Sequence, residues 1–363
     1  MKSIFKLILL AVLSFYVLSA NATDAWNDKI AYQLAVASNC AYKVNEGKKS
    51  IIDCFEESVN KAPDTLDVFR RLSSNEIEFF ETTGEYVGNK LHAAILVKVP
   101  DGLVLAFRGT QGKLDWLNNL SFTSLNDLEK RTLHERGTYH GFDQPLKILI
   151  NEIRQNSLWR SHESQMDKTL YITGHSKGGA MATGAAVDLN GIFRGKKVTY
   201  TFEAARFFTP KGQQGESKKS ILDKIWRFEY QYDIVPHLPL GQVTRDYLIE
   251  KKRKHPDFFE FITLIFRLEP DWLETNNFNF VSSGKLAYVD GKGDWNDHTE
   301  KSKNEDYYRN RAWESIENTA KLRLHPVNYV IDQHSECYLE YLRIKTIGVD
   351  LKANLRDKKY CLE

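Results

Sequence analysis

Three kinds of side chain in this 363-residue chain, a serine, an acid and a histidine, stand in surroundings where they could cleave an acyl bond. The serine is Ser176, within Gly174-His175-Ser176-Lys177-Gly178 of the stretch YITGHSKGGAMATGAA, from Tyr171 to Ala186. The stretch opens as a β-branched and aromatic run and closes rich in alanine and glycine, so the serine falls where a strand gives way to a helix. In such a turn the middle residue is pushed above the carboxyl edge of a sheet, with the helix N-terminus pointing at it. A Cβ at Gly174 or Gly178 would strike the crowded turn, and the serine would take a strained backbone angle. The bare pattern is weak evidence; its place between strand and helix gives it weight.

A serine hydroxyl attacks poorly until a base takes its proton, and the base must itself be held by a third group. In one recurring chain order the acid follows the serine and the histidine comes last. Asp233, in YQYDIVPHLP, stands just past an expected strand and before Pro236, the right place for an acid on a loop at a strand's carboxyl end. His325, in LRLHPVN, and His334, in IDQHSECYLEYL, are the best-placed bases. His334 is preferred, because the helical pattern after it would hold a histidine at the helix start, and His325 is the reserve.

These groups need a scaffold. LHAAILVKV and GLVLAFRG read as two strands of a hairpin turning at Pro100-Asp101-Gly102. PLKILINEIRQN has helical spacing, KTLYITG is a strand, GGAMATGAAVDL a helix, KVTYTFEA a strand, and ILDKIWRFEYQYD ends in another. Residues 28–42 repeat apolar positions at helical spacing, and 45–89 mix short helical patterns with polar turns. Strands alternating with helices imply an α/β fold with a mostly parallel sheet covered on both faces. The length would allow two average domains, but no linker or repeat interrupts the pattern, and residues 23–363 are read as a single domain.

The first 22 residues, MKSIFKLILLAVLSFYVLSANA, carry Lys2 and Lys6, an apolar run and a small-x-small ending, the pattern of a cleaved signal peptide. Without those two lysines the basic and acidic residues number 48 each. A neutral balance gives no reason to expect nucleic acid as a partner. The four cysteines, Cys40, Cys54, Cys337 and Cys361, favour two disulfides in an exported chain, in any of three pairings.

Taken together, these motifs resemble the class 3 lipases of the α/β-hydrolase fold. FRGT (107–110), DWLNNLSF (115–122), HGF (140–142), GHSKGGA (174–180), TFEAAR (201–206), DIVPHLP (233–239) and the His334 segment carry the resemblance, in the family's order. It implies Ser176 as nucleophile, Asp233 as orienting acid and His334 as general base and then acid. It also implies an oxyanion hole built from the backbone N–H of Lys177 and from Thr110, where each fixed donor would be worth about 3 kcal/mol. A link between Cys40 and the C-terminal region is attractive on the same ground. Three departures stand out. TFEAAR occupies a place where the family usually has TFGxPR, so a glycine and a proline are lost. Three residues rather than two separate His334 from Tyr338. The interval from Asp233 to His334 is long, with an insertion at about 241–275.

The resemblance implies a lid over the nucleophile, here about 111–139, with Leu114, Trp116 and Leu117 as its apolar residues, and the composition equally suits a static loop packed on the body. In the insertion, Lys251, Lys252 and Arg253 precede an apolar run with Phe258, Phe261 and Phe266. Cations beside such a run resemble an interfacial lipid anchor, while a core helix with a charged entrance is the bland alternative. The resulting expectation is an exported serine esterase acting on lipid acyl esters, triacylglycerol lipase-like, secreted or periplasmic, with no metal or organic cofactor and no transmembrane span in the mature chain. Phospholipase A1 or galactolipase activity is the nearest alternative, and an inactive lipid-surface binding protein the alternative of another class.

Overall fold

The computed structural model describes residues 25–83, 91–110, 137–230, 233–239, 241–254, 279–289, 295–297 and 337–348, with single residues 256, 260 and 334. Residues 1–22, read above as a signal peptide, and Leu114, Trp116, Leu117, Phe258, Phe261, Phe266, His325 and Cys361 lie outside them.

Among the described residues eight strands form one sheet in sequence order: β1 (Ile77–Thr83), β2 (Leu91–Val99), β3 (Gly102–Phe107), β4 (Thr169–His175), β5 (Lys196–Phe202), β6 (Trp226–Tyr230), β7 (Lys285–Val289) and β8 (Trp295–Asp297). The pairs from β3 to β7 are parallel, while β1, β2 and β8 are joined antiparallel. The expected hairpin is present, with Val99 opposite Gly102. This is the mostly parallel α/β sheet expected from the sequence. Strand β1, in a region read as helical patterns and turns, was not anticipated. Its Phe79 packs into the core on one side of the sheet and Phe80 on the other, so the alternation that betrays a one-sided strand is missing. Strands β7 and β8 were not anticipated either.

The helices that position the site are α1 (Asp28–Cys40), α2 (Lys48–Lys61), α3 (His140–Gln155), α4 (Lys177–Asp188), α5 (Gln242–Lys254) and α6 (Cys337–Ile347). Alternate residues of β2 point into two different cores. Ala93, Ile95 and Val97 share one core with Leu34 of α1, Phe55 of α2 and Tyr338 of α6. Ala94 and Leu96 share the other core with Leu149 of α3 and Ala182 of α4. Burial on both faces is what lets β3 run apolar without interruption, all six residues being buried.

One expectation is corrected. Cys40 is bonded to Cys54, 14 residues away, tying the end of α1 to α2, and not to the C-terminal region. The C-terminal helix meets α1 by packing instead: Tyr338, Tyr341 and Leu342 share a core with Leu34 and Ala35, and Thr346 Oγ1 donates to the carbonyl of Asp28 at 3.2 Å. Cys337 is also disulfide-bonded. Among the described residues no helix is long and apolar enough to cross a membrane.

Candidate active site

Strand β4 delivers Ser176 to the point where α4 begins. Its backbone has φ 61° and ψ −129°, a region that a side-chain-bearing residue occupies only when its surroundings force it. The forcing groups are identifiable. Ser176 N–H donates to the carbonyl of Phe202 at the end of β5 (3.0 Å), and its own carbonyl accepts from Gly179 (2.9 Å). A Cβ on Gly174 would lie 2.2 Å from the carbonyl oxygen of Gly178. Crowding therefore explains that glycine, as the sequence suggested. Lys177, the first helical residue, is buried, and its N–H belongs to the turn whose donors have no intrahelical acceptor.

A second close approach brings the end of β3 to the same turn. A Cβ on Gly178 would meet the carbonyl oxygen of Phe107 at 2.1 Å, and one on Gly109 would meet the carbonyl oxygen of His175 at 2.7 Å. The segment 107–110 is thus pressed against 175–178, with half-buried Thr110 next in line.

Asp233 leaves β6 on a turn and is fully buried. Its N–H donates to the Tyr230 carbonyl at 3.1 Å, and its Oδ1 accepts from the N–H of Val235 at 2.9 Å, so the carboxylate has one fixed rotamer. The other oxygen, Oδ2, lies 2.5 Å from Nδ1 of His334, itself buried and three residues ahead of α6. With Nδ1–H donated to a carboxylate, Nε2 is the nitrogen available for proton transfer.

His175 ties this pair to the serine turn. Its ring stacks on that of His334 with centroids 4.4 Å apart and on Tyr338 at 4.4 Å and 8°. Its Nε2 is 2.9 Å from the His334 carbonyl oxygen, and its Nδ1 is 2.8 Å from the Tyr42 hydroxyl. A carbonyl can only accept, so Nε2 carries the proton and Nδ1 accepts from Tyr42. Burial, then the neighbouring His334, press the His175 pKa well below its ordinary value, against the opposing bond to the His334 carbonyl. His175 is accordingly a neutral spacer and not a second base. Burial likewise raises the Tyr42 pKa, keeping its hydroxyl a donor.

Beside Asp233 stands Glu203, fully buried and at φ 46°, in the TFEAAR segment that departs from TFGxPR. Burial, then Asp233, push its carboxyl pKa well above the ordinary range, and Glu229 adds to the effect.

The structure thus brings Ser176, Lys177, Asp233, His334 and the Thr110 segment to one edge of the sheet. Lys251, Lys252 and Arg253 occupy the last turn of α5, where cations suit the negative end of a helix. Lys251 covers the Tyr247 ring at 5.6 Å. Tyr42, His175, Glu203 and Tyr338 were not singled out by sequence. His175 had a signal, being inside the glycine motif; Tyr338 follows His334 by one helical turn; Tyr42 had none.

Residues 104–243 match the model of the family described as Lipase (class 3), which bears out the resemblance read from the motifs and, with it, the assignment as a carboxylic ester hydrolase. Among solved structures, lipase II from Rhizopus niveus is 16% identical with a TM-score of 0.42, over 72% of this chain and 80% of its own. The mono- and diacylglycerol lipase from Aspergillus oryzae is 17% identical with a TM-score of 0.41, over 72% and 78%. The Rhizomucor miehei triacylglyceride lipase is 15% identical with a TM-score of 0.40, over the same shares.

Proposed function

We propose that this chain, whose residues 104–243 carry the class 3 lipase pattern, is an exported serine esterase that cleaves lipid acyl esters, triacylglycerol lipase-like, through an acyl-enzyme. The observation that carries the reading is the 2.5 Å contact of His334 Nδ1 with Asp233 Oδ2, held against the Ser176 turn by the ring of His175. In the reaction, His334 Nε2 takes the proton from Ser176 Oγ as the oxygen attacks the ester carbonyl. The negative charge that develops on the carbonyl oxygen meets the N–H groups of Lys177 and Thr110, donors fixed before the reaction begins. Collapse of the tetrahedral adduct breaks the bond to the alcohol, which leaves with the proton held by His334. Water then enters, gives its proton to the same nitrogen and releases the acid, restoring Ser176. Asp233 stays ionised throughout and stabilises the imidazolium.

Residues 111–139 are proposed to cover the nucleophile, and the segment with Lys251, Lys252, Arg253, Phe258, Phe261 and Phe266 to meet the lipid surface. The test is hydrolysis by purified protein of short soluble esters, emulsified triacylglycerol, phospholipid and galactolipid, with Ser176→Ala as the blank. Ser176-dependent release of fatty acid, highest on triacylglycerol, supports the reading. Highest activity on phospholipid or galactolipid would replace the lipid class, and hydrolysis surviving in Ser176→Ala would overturn the mechanism.

A further inference from the structure

Glu203 is expensive to keep where it is. Its φ of 46° lies in the left-handed region that glycine enters freely and other residues avoid, and its carboxyl has no access to water. Among the described residues neither carboxyl oxygen is held by a donor in full hydrogen-bond geometry, the Tyr230 backbone N–H only approaching it, while the Asp233 carboxyl stands within hydrogen-bond reach. Two carboxylates cannot hydrogen-bond to one another; a carboxylic acid and a carboxylate can. Asp233 Oδ1 and Oδ2 already take the Val235 N–H and the His334 ring, so Asp233 is the member that acts as acceptor, and each oxygen keeps a second lone pair for a further donor.

The other groups around Glu203 agree. Glu229 on β6 adds negative charge, though it is ion-paired with Arg227. Tyr338 on α6, whose pKa burial raises, stays neutral. The Tyr230 backbone N–H, which approaches the carboxyl, is the weakest of these influences and the only one that favours the anion. Register explains the juxtaposition: Phe202 pairs with Phe228, and Glu203 N–H donates to the Phe228 carbonyl at 2.9 Å. The first residue beyond β5 therefore comes to rest beside the turn that carries Asp233.

We propose that Glu203 is a positioning residue of the reaction: as a neutral carboxylic acid it donates a hydrogen bond to the Asp233 carboxylate, fixing that carboxylate against His334 and tempering its pull on the imidazole proton. The inference rests on the serine-esterase reading. Without the donor, Asp233 would hold His334 in its protonated form to higher pH, and the enzyme would need more alkaline conditions to free its base.

The experiment compares kcat/KM against pH on p-nitrophenyl butyrate for the wild type, Glu203→Gln, Glu203→Ala and Glu203→Gly. Glutamine keeps a neutral donor of the same size, so its acid limb should coincide with that of the wild type. Alanine and glycine remove the donor, and glycine also suits the backbone angle. Both should lose about tenfold at neutral pH, with the acid limb moved upward. An acid limb in Glu203→Gln moved downward would mean that Glu203 is ionised, and wild-type profiles in the alanine and glycine variants would make it filler; either overturns the proposal. A stability measurement separates this failure from failure of the esterase reading. An acid whose folded pKa is raised stabilises the fold below its unfolded pKa and loses that contribution as pH rises through the folded value. Wild type should therefore lose stability relative to Glu203→Gln as pH rises above the ordinary carboxylate range and through the raised folded value. Equal slopes would refute a neutral Glu203 whether or not the chain hydrolyses esters, whereas absent Ser176-dependent hydrolysis with unequal slopes would refute only the esterase reading.

Discussion

Tyr42→Phe removes one oxygen atom and tests whether the chain from Tyr42 through His175 to His334 supports the chemistry. The hydroxyl donates to His175 Nδ1 at 2.8 Å, and the opposite nitrogen of that ring holds the His334 carbonyl at 2.9 Å. Phenylalanine leaves a buried ring nitrogen as an acceptor with no donor, which costs about 1–3 kcal/mol. The ring cannot relieve this by moving its proton to Nδ1, because Nε2 would then face a carbonyl oxygen with a lone pair. Nor can it protonate, since burial and His334 oppose the charge. We expect urea denaturation to show a stability loss of about 1–3 kcal/mol. Turnover of p-nitrophenyl butyrate should fall about tenfold, short of the roughly hundredfold that an ångström-scale displacement produces, with KM nearly unchanged because Tyr42 is not proposed to touch substrate. A loss of stability with full turnover would mean that the support ends at His175. No change in either quantity would refute the tautomer argument itself.

Asp233→Asn should keep the fold but lower kcat by about ten-thousandfold by presenting the wrong hydrogen-bonding group to His334 Nδ1, measured on the same ester. His334→Ala should be nearly as damaging as Ser176→Ala, at about a millionfold, whereas His325→Ala should affect turnover little; the reverse ranking would transfer the base to His325. Cys40→Ser opens a bridge that closes a 14-residue separation and should cost about 3 kcal/mol in denaturant titrations, with near-normal turnover at low temperature because the bridge lies outside the catalytic groups. Replacing Phe258, Phe261 and Phe266 by serine should weaken adsorption to emulsions while sparing soluble-ester hydrolysis. Parallel loss of both activities with about 3 kcal/mol or more of stability per site would identify a core helix instead.

What the sequence revealed and what it hid divide along a physical line. Ser176 was legible because the turn that strains it lies within five residues, where close approach demands Gly174 locally, although what demands Gly178 is the distant carbonyl of Phe107. Asp233 was legible from strand, turn and proline in succession. The choice of His334 over His325 had only a following helical pattern to guide it, and it is the structure that sets His334 against Asp233, 101 residues away. Strand β1 escaped because both of its faces are covered, which erases the period-two signal. The supports of the site were the least visible. Tyr42 reaches His175 across 133 positions, and no periodicity records such a meeting. Glu203 was visible as a departure from TFGxPR, read there only as loss of a glycine. Its meaning depended on the pairing of β5 with β6, which sets the residue leaving one strand beside the acid leaving the next. A substitution that looks like a weakened turn in one dimension is, in three, a second carboxyl group placed against the first. The folded chain can keep both only if one of them retains its proton.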